Sequence, residues 1–145
     1  MDCSPKELFQ FLTKPSNLIS VSPDMPSLSF HSPGLMLGKG QLIHFDLNYG
    51  LFRVRWCSKI TEFRPYEFME DTQQQGPFKH WIHKMHFEGA GTQTLIRDEI
   101  EYDVGYGPLG SIMETLVIKY QIENFLRVRN QRTTEKFQVM TRKSA

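Results

Sequence analysis

Little in this sequence points to a covalent staple, a membrane anchor or a grip on nucleic acid. Its two cysteines, Cys3 and Cys57, lie far apart and form no CxxC. A disulfide framework is therefore not supported, which fits a reducing cytosol. The opening MDCSPKEL carries no apolar signal core, and no apolar run reaches the roughly 20 residues that a spanning helix needs. Charge of one sign is also missing. The formal net charge is +1, which gives no global pull toward nucleic acid or acidic membranes. The basic residues that gather late, Arg127, Arg129, Arg132, Lys136, Arg142 and Lys143, read as a solvated helix end and tail, where cations suit the helix dipole. No G-x-S-x-G, P-loop or HExxH occurs. The expectation from these absences is a soluble cytoplasmic protein with no cofactor, no metal, no nucleic-acid partner and no stable membrane insertion.

What is present is one domain's worth of ordinary globular chain, 39% hydrophobic and 23% charged, with eleven phenylalanines. Ser4-Pro5-Lys6-Glu7 forms a capping box with proline at the first helical position, and it opens a short helix that Lys14-Pro15 stops. A second short helix is expected from Pro15 to Ile19. Pro, Ser and Gly-Lys-Gly mark Val21 to Gly40 as loop, with one short strand at Ser27–His31.

The period then changes to two. Ile43, Phe45, Leu47 and Tyr49 alternate with polar residues, and so do Phe52, Val54, Trp56 and Ile60. The switch of parity predicts a two-residue turn at Gly50-Leu51, which would set Tyr49 against Phe52 and Phe45 against Trp56. Further strands are predicted over Tyr66–Gln75, His80–Glu88 and Gln93–Val104. A second capping box, Ser111-Ile112-Met113-Glu114, opens a long stretch free of Gly and Pro. Apolar residues cover more than one stripe of that helix, which predicts a largely enclosed helix. Strands grouped together with helices at the ends predict an α+β fold, a curved antiparallel sheet wrapped around the C-terminal helix.

Two polar residues fall on the inward faces, His83 and Asp98. A four-residue loop over Gly89–Thr92 would place them directly opposite each other. A carboxylate raises the basicity of an imidazole and orients it, so the pair is a candidate acid–base or ligand-anchoring couple, or alternatively a satisfied polar pair that only fixes register. Phe45, Trp56, Trp81, Met85, Ile100 and Tyr102 are the expected strand wall of a pocket. Met113, Leu116 and Tyr120 are the expected helix wall. Gly105-Tyr106-Gly107-Pro108-Leu109-Gly110 matches G-x-G-x-x-G but lacks the βαβ context of a dinucleotide site. It reads as a tight reversal from strand to helix. His80, His83 and His86 recur every third residue, which on a strand puts His83 opposite to the other two and argues against a zinc site.

The stretch Asp71-Thr72-Gln73-Gln74-Gln75-Gly76-Pro77-Phe78-Lys79-His80-Trp81-Ile82-His83-Lys84-Met85-His86-Phe87 resembles the SRPBCC group of the START/Bet v 1-like superfamily, proteins often labelled polyketide cyclase/dehydrase or lipid-transport domains. Gly91-Thr92, Asp98, Ile100, Tyr102 and Pro108-Leu109-Gly110 extend the match. The resemblance implies a helix-grip fold with a deep cavity between sheet and C-terminal helix. It implies a lipid, sterol, polyketide or quinone-like ligand and, in a minority of relatives, an enzyme. Trp81, His83 and Asp98 carry over as pattern positions without a transferable role.

There are two departures. Met85 stands where the group usually has a second histidine. The chain also begins almost at the first helix cap, without the strand that relatives place before it. An open sheet edge invites pairing. Glu135–Thr141, with Phe137 and Val139 alternating, could fill that edge in its own chain or a second copy, making a homodimer one expected arrangement; a start further upstream is the other explanation.

Three functions follow as expectations. The first is binding or transport of a small hydrophobic ligand. The second is a cyclase/dehydratase-type enzyme using His83 and Asp98. The third is a protein-partner module with a vestigial cavity.

Overall fold

The computed structural model describes residues 1–105 and 112–144, with side chains of the last helix described from 116 to 140. The elements run α1 (Pro5–Leu12), α2 (Pro15–Val21), β1 (Ser27–Phe30), β2 (Leu42–Asn48), β3 (Arg53–Arg64), β4 (Phe68–Gln75), β5 (His80–Ala90), β6 (Gln93–Asp103) and α3 (Ile112–Ser144). The six strands form one antiparallel sheet in sequence order. The segment Tyr106–Gly110 and the capping role of Ser111 lie outside the described residues.

Local chemistry accounts for the boundaries. The Ser4 hydroxyl accepts from the Glu7 backbone N–H, and the Glu7 carboxylate accepts from the Ser4 N–H, closing the capping box. Pro15 ends the first helical run and opens the second. Gly50, with φ of +77°, turns β2 into β3 and brings Phe45 opposite Trp56 and the Tyr49 ring onto Phe52. Register shifts at Cys57/Ser58 and Ile60/Glu62 mark irregularities that add bend and twist to the β3–β4 pair.

Two expectations about the strands are overturned. The β5–β6 turn is the two-residue Gly91-Thr92, not a four-residue loop, because Gly91 takes φ of +64° and pairing continues through Gly89↔Thr94 to Ala90↔Gln93. The register therefore moves by two residues, and His83 lies opposite Ile100 while Asp98 lies opposite Met85. The segment Glu135–Thr141 is helix rather than an edge strand. Phe137 is buried in the core and Val139 is exposed, as helical rather than strand periodicity demands. Among the described residues, β6 pairs with β5 and, at Thr94 alone, with Met1: the Thr94 N–H donates to the Met1 carbonyl and the Met1 ammonium donates to the Thr94 carbonyl, both at 2.9 Å.

The packed core sits at one end of the sheet. Leu8, Phe9 and Leu12 of α1 meet Ile60, Met69, Met85 and Phe87 of the strands and Phe137 from the last turns of α3. The Phe9 ring makes edge-to-face contacts with Phe63, Tyr66 and Phe87 at centroid separations of 5.2, 5.8 and 5.1 Å. α3 behaves differently from the enclosed helix expected. Among the described residues no Cα of α3 comes within 8 Å of a strand Cα, and its close backbone neighbour is α2. Arg132 of α3 pairs with Asp24 at 3.0 Å, just beyond α2, and Lys136 donates to Ser20. The helix is fastened at its C-terminal half and held away from the sheet over its N-terminal half.

Replacing Phe9 by alanine should lower the unfolding free energy by about 3–5 kcal/mol, because the surrounding rings cannot collapse into the space. Urea denaturation followed by circular dichroism checks this. A loss below ~1 kcal/mol would show that the α1 end is not the packed core.

Candidate functional site

Inward-facing positions on three adjacent strands pass from apolar to polar at one level. β4 places Asp71 after Met69, β5 places His83 after Phe87 and Met85, and β6 places Asp98 after Ile96. Asp71 and His83 are register partners, and His83 Nδ1 lies 3.4 Å from Asp71 Oδ1. Asp98 is one diagonal step away, and its Oδ1 is 2.9 Å from His83 Nε2. α3 supplies the fourth member. The Arg129 side chain, only 3% exposed, donates from Nη2 to Asp98 Oδ2 at 2.5 Å. The Arg129 Nε–H and Nη2–H also donate to Asn130 Oδ1, and Nη1 lies 3.7 Å from Met85 Sδ. Side chains thus bridge the gap that the backbones leave open.

The charges of this layer follow from its geometry. Burial by itself would lower the pKa of His83, but its interactions with the Asp71 and Asp98 carboxylates outweigh that and raise it to about 9. Burial would raise the pKa of Asp98, whereas the hydrogen bond from His83 and the Arg129 guanidinium bring it down to about 2. At neutral pH the layer therefore holds an imidazolium and a guanidinium against carboxylates, and both imidazole nitrogens face acceptors.

Beyond this layer lies a cavity of about 660 Å³. Phe45, Leu47, Trp56 and Trp81 wall it from the sheet, Phe30 and Leu37 from the β1 side, and Val117, Ile122 and Phe125 from α3. Aromatic contacts stiffen the sheet side. Trp56 stacks on Phe45 at 5.6 Å and meets Trp81 edge-on at 5.1 Å, and its Nε1–H donates to Ser58 Oγ at 3.0 Å. Asp71, His83 and Arg129 form the charged part of the lining, and Ser58, Tyr49 and Gln121 add uncharged polar groups, with the Tyr49 hydroxyl donating to Gln121 Oε1 at 3.3 Å.

The described residues among those predicted from sequence divide into three groups. Phe45, Trp56, Trp81, His83, Met85 and Ile100 line the cavity. Asp98 sits behind His83 with 6% of its side chain exposed, and Tyr102 stands behind Phe78 and Trp81 at 5.7 and 6.2 Å, so both support the wall without forming it. Leu116 and Tyr120 point away from the cavity, 56% and 69% exposed. They share one i,i+4 stripe of α3, about 100° around the helix from the Val117–Gln121–Phe125 stripe that faces inward. The side chain of Met113 lies outside the described residues.

Two members of the polar layer escape the sequence reading. Asp71 was legible in principle, since Met69 and Asp71 share the inward parity of β4. Arg129, read as a solvated helix-end cation, is instead buried; no local signal separates it from Arg127 and Arg132, and only the docking of α3 does.

The family model described as "Polyketide cyclase / dehydrase and lipid transport" matches residues 1–126. The chain belongs to this polyketide cyclase/dehydrase and lipid transport family. The fold agrees: it is the α+β helix-grip fold of the Bet v 1-like proteins. Among solved structures, the protein TTHA0849 from Thermus thermophilus superposes with a TM-score of 0.72 at 16% identity, over 94% of this chain and 93% of that one. The Chromobacterium violaceum protein CV1439 gives 0.63 at 11% identity, over 83% and 84%. Ara h 8.0201 gives 0.61 at 14% identity, over 91% of both chains. At these identities the likeness is one of fold. No curated protein sequence matches the chain. Family and fold together support a hydrophobic ligand-binding role. No helix among the described residues is long and apolar enough to cross a membrane.

The layer makes stability depend on pH in a defined sense. The folded pKa of His83 lies above its unfolded value, so its contribution is complete below about 6.5 and is lost as pH rises through about 9. Asp98 works oppositely, and its contribution is lost as pH falls from about 4 toward 2. The unfolding free energy should decline between pH 6.5 and 9 with a slope approaching 1.4 kcal/mol per pH unit, about one proton's worth. Denaturant titrations across that window measure it. A His83→Gln variant should lose the slope, and an unchanged slope would assign it to another group.

Proposed function

We propose that this protein binds a small hydrophobic molecule in the cavity between the sheet and α3, as a binding or carrier module. The observation that carries the reading is the cavity itself. Its volume of about 660 Å³ falls within the roughly 300–1,000 Å³ of small-molecule sites. Its walls are mostly aromatic and aliphatic, with the charged groups gathered in one layer, the combination that buries an apolar body and orients it through a few bonds. The family's description as a lipid-transport group points the same way.

Proton transfer by His83 and Asp98 has weaker support. A general base needs a neutral imidazole with a free lone pair, whereas the two carboxylates keep His83 protonated with both nitrogens engaged. A lipid, polyketide or quinone-like molecule held without chemical change suits the arrangement better.

A second reading, a partner module that pairs through a sheet edge, draws on β6. Among the described residues its outer edge carries ladder partners only at Thr94. An edge of that length is open to a strand from a second copy.

Native mass spectrometry before and after gentle organic extraction tests both. A reproducible extra mass removed by extraction is the expected result, and it gives the ligand class directly. A bare monomer that also fails to take up the neutral fluorophore N-phenyl-1-naphthylamine would overturn the carrier reading, and a dominant dimer under those conditions would favour the edge. If the fluorophore binds in the cavity, Ile122→Trp should weaken it by roughly tenfold or more by filling the space, about 1.4 kcal/mol.

A further inference from the structure

The polar layer at the end of the cavity is balanced, and that balance restricts what can be bound against it. Resting on the carrier reading above, we infer that the ligand's polar end is an uncharged oxygen group, a hydroxyl or hydroxy-carbonyl, which bonds to Asp71 and Arg129, and that carboxylates and amines are selected against.

Most of the layer's bonding atoms are already used. Asp98 accepts from His83 through Oδ1 and from Arg129 through Oδ2, so both its oxygens are committed. His83 turns Nε2 to Asp98 and Nδ1 to Asp71. Two members keep capacity toward the cavity they line. Asp71 makes its ion pair through Oδ1, which leaves Oδ2 an acceptor without a bond among the described residues. Arg129 Nη1 carries two N–H donors, and its contact there is Met85 Sδ, a weak acceptor at 3.7 Å. One acceptor and one good donor therefore remain. A hydroxyl, which both donates and accepts, matches that pair.

Charge then decides against ionised ligands. Asp71 and Asp98 face His83 and Arg129, two carboxylates against two cations, and the other polar residues of the lining, Tyr49, Ser58 and Gln121, carry no charge to match an added ion. A carboxylate or ammonium set beside this layer would leave one unit of charge unmatched among apolar walls, which is costly. An uncharged oxygen group adds hydrogen bonds and no charge.

The test is competition against N-phenyl-1-naphthylamine at neutral pH by one alkyl skeleton carrying three alternative ends, an alcohol, a carboxylate and an ammonium. The alcohol should bind at least roughly tenfold tighter than either ion. Any apolar cavity disfavours ions to some degree, so the Asp71→Asn variant supplies the discriminating measurement. It leaves the layer with one excess positive charge, and the carboxylate should gain on the alcohol by roughly tenfold or more while the ammonium falls further behind. Equal affinities for all three ends in the natural chain, or a carboxylate or ammonium preferred there, would overturn the inference. So would a ranking unmoved by Asp71→Asn. Failure of the uncharged naphthylamine to bind at all is a different result, since it would overturn the carrier reading on which the inference rests.

Discussion

The contact between Arg129 and Asp98 is where the helix layer and the sheet layer are tied together over the cavity. Both side chains are almost wholly buried, and the backbones that carry them stay apart. Desolvating two ions is expensive, and a buried pair offsets that cost only when its remaining bonding groups are satisfied. Here they largely are: Asp98 also accepts from His83, His83 faces Asp71, and Arg129 also donates to Asn130. Removing one member strands its partner's charge in an apolar interior, so the four act as a unit rather than as independent bonds.

That layer divides the interior. On one side, α1 and the end of α3 close over the strands with Leu8, Leu12, Ile60 and Phe137, and the packing is tight. On the other side α3 carries Ile122 and Phe125 over Trp56 and Trp81 with space between. The molecule thus places its stability at one end and its capacity at the other. The side chains that keep the open end from collapsing are large and mutually braced, as in the Phe45–Trp56–Trp81–Phe78 set of ring contacts. Rings held in stacked, edge-on and tilted contacts lose that geometry if the wall shifts, so the wall resists filling its own void.

Much of this was legible in advance because it is local. The capping box at Ser4, the parity switch at Gly50 and the period-two runs each depend on residues within a few positions of one another. The sequence pattern pairs His83 with Asp98 on a register that is off by two residues. The pairing survives because a shift of two keeps every side chain on its own face, and diagonal neighbours still touch. The helix was harder to read. Its apolar residues spread over more than one stripe, and composition cannot say which stripe faces the sheet when the helix does not lie upon it. The sequence pattern therefore puts Leu116 and Tyr120 on the wall and Arg129 in solvent, whereas the docked helix exposes the first two and buries the third.

The chain by itself determined most of its secondary elements, the inward set of each strand and the α+β class, because hydrophobic period and turn chemistry act over short distances; Glu135–Thr141, helix rather than strand, is the exception. The tertiary structure alone decided the height and rotation of α3. Those two quantities convert one cation of a basic helix into the buried partner of Asp98, and a gap between layers into a cavity. The physical reason is that a charge's environment is set by what packs around it from elsewhere in the chain, and no neighbouring residue in sequence carries that information.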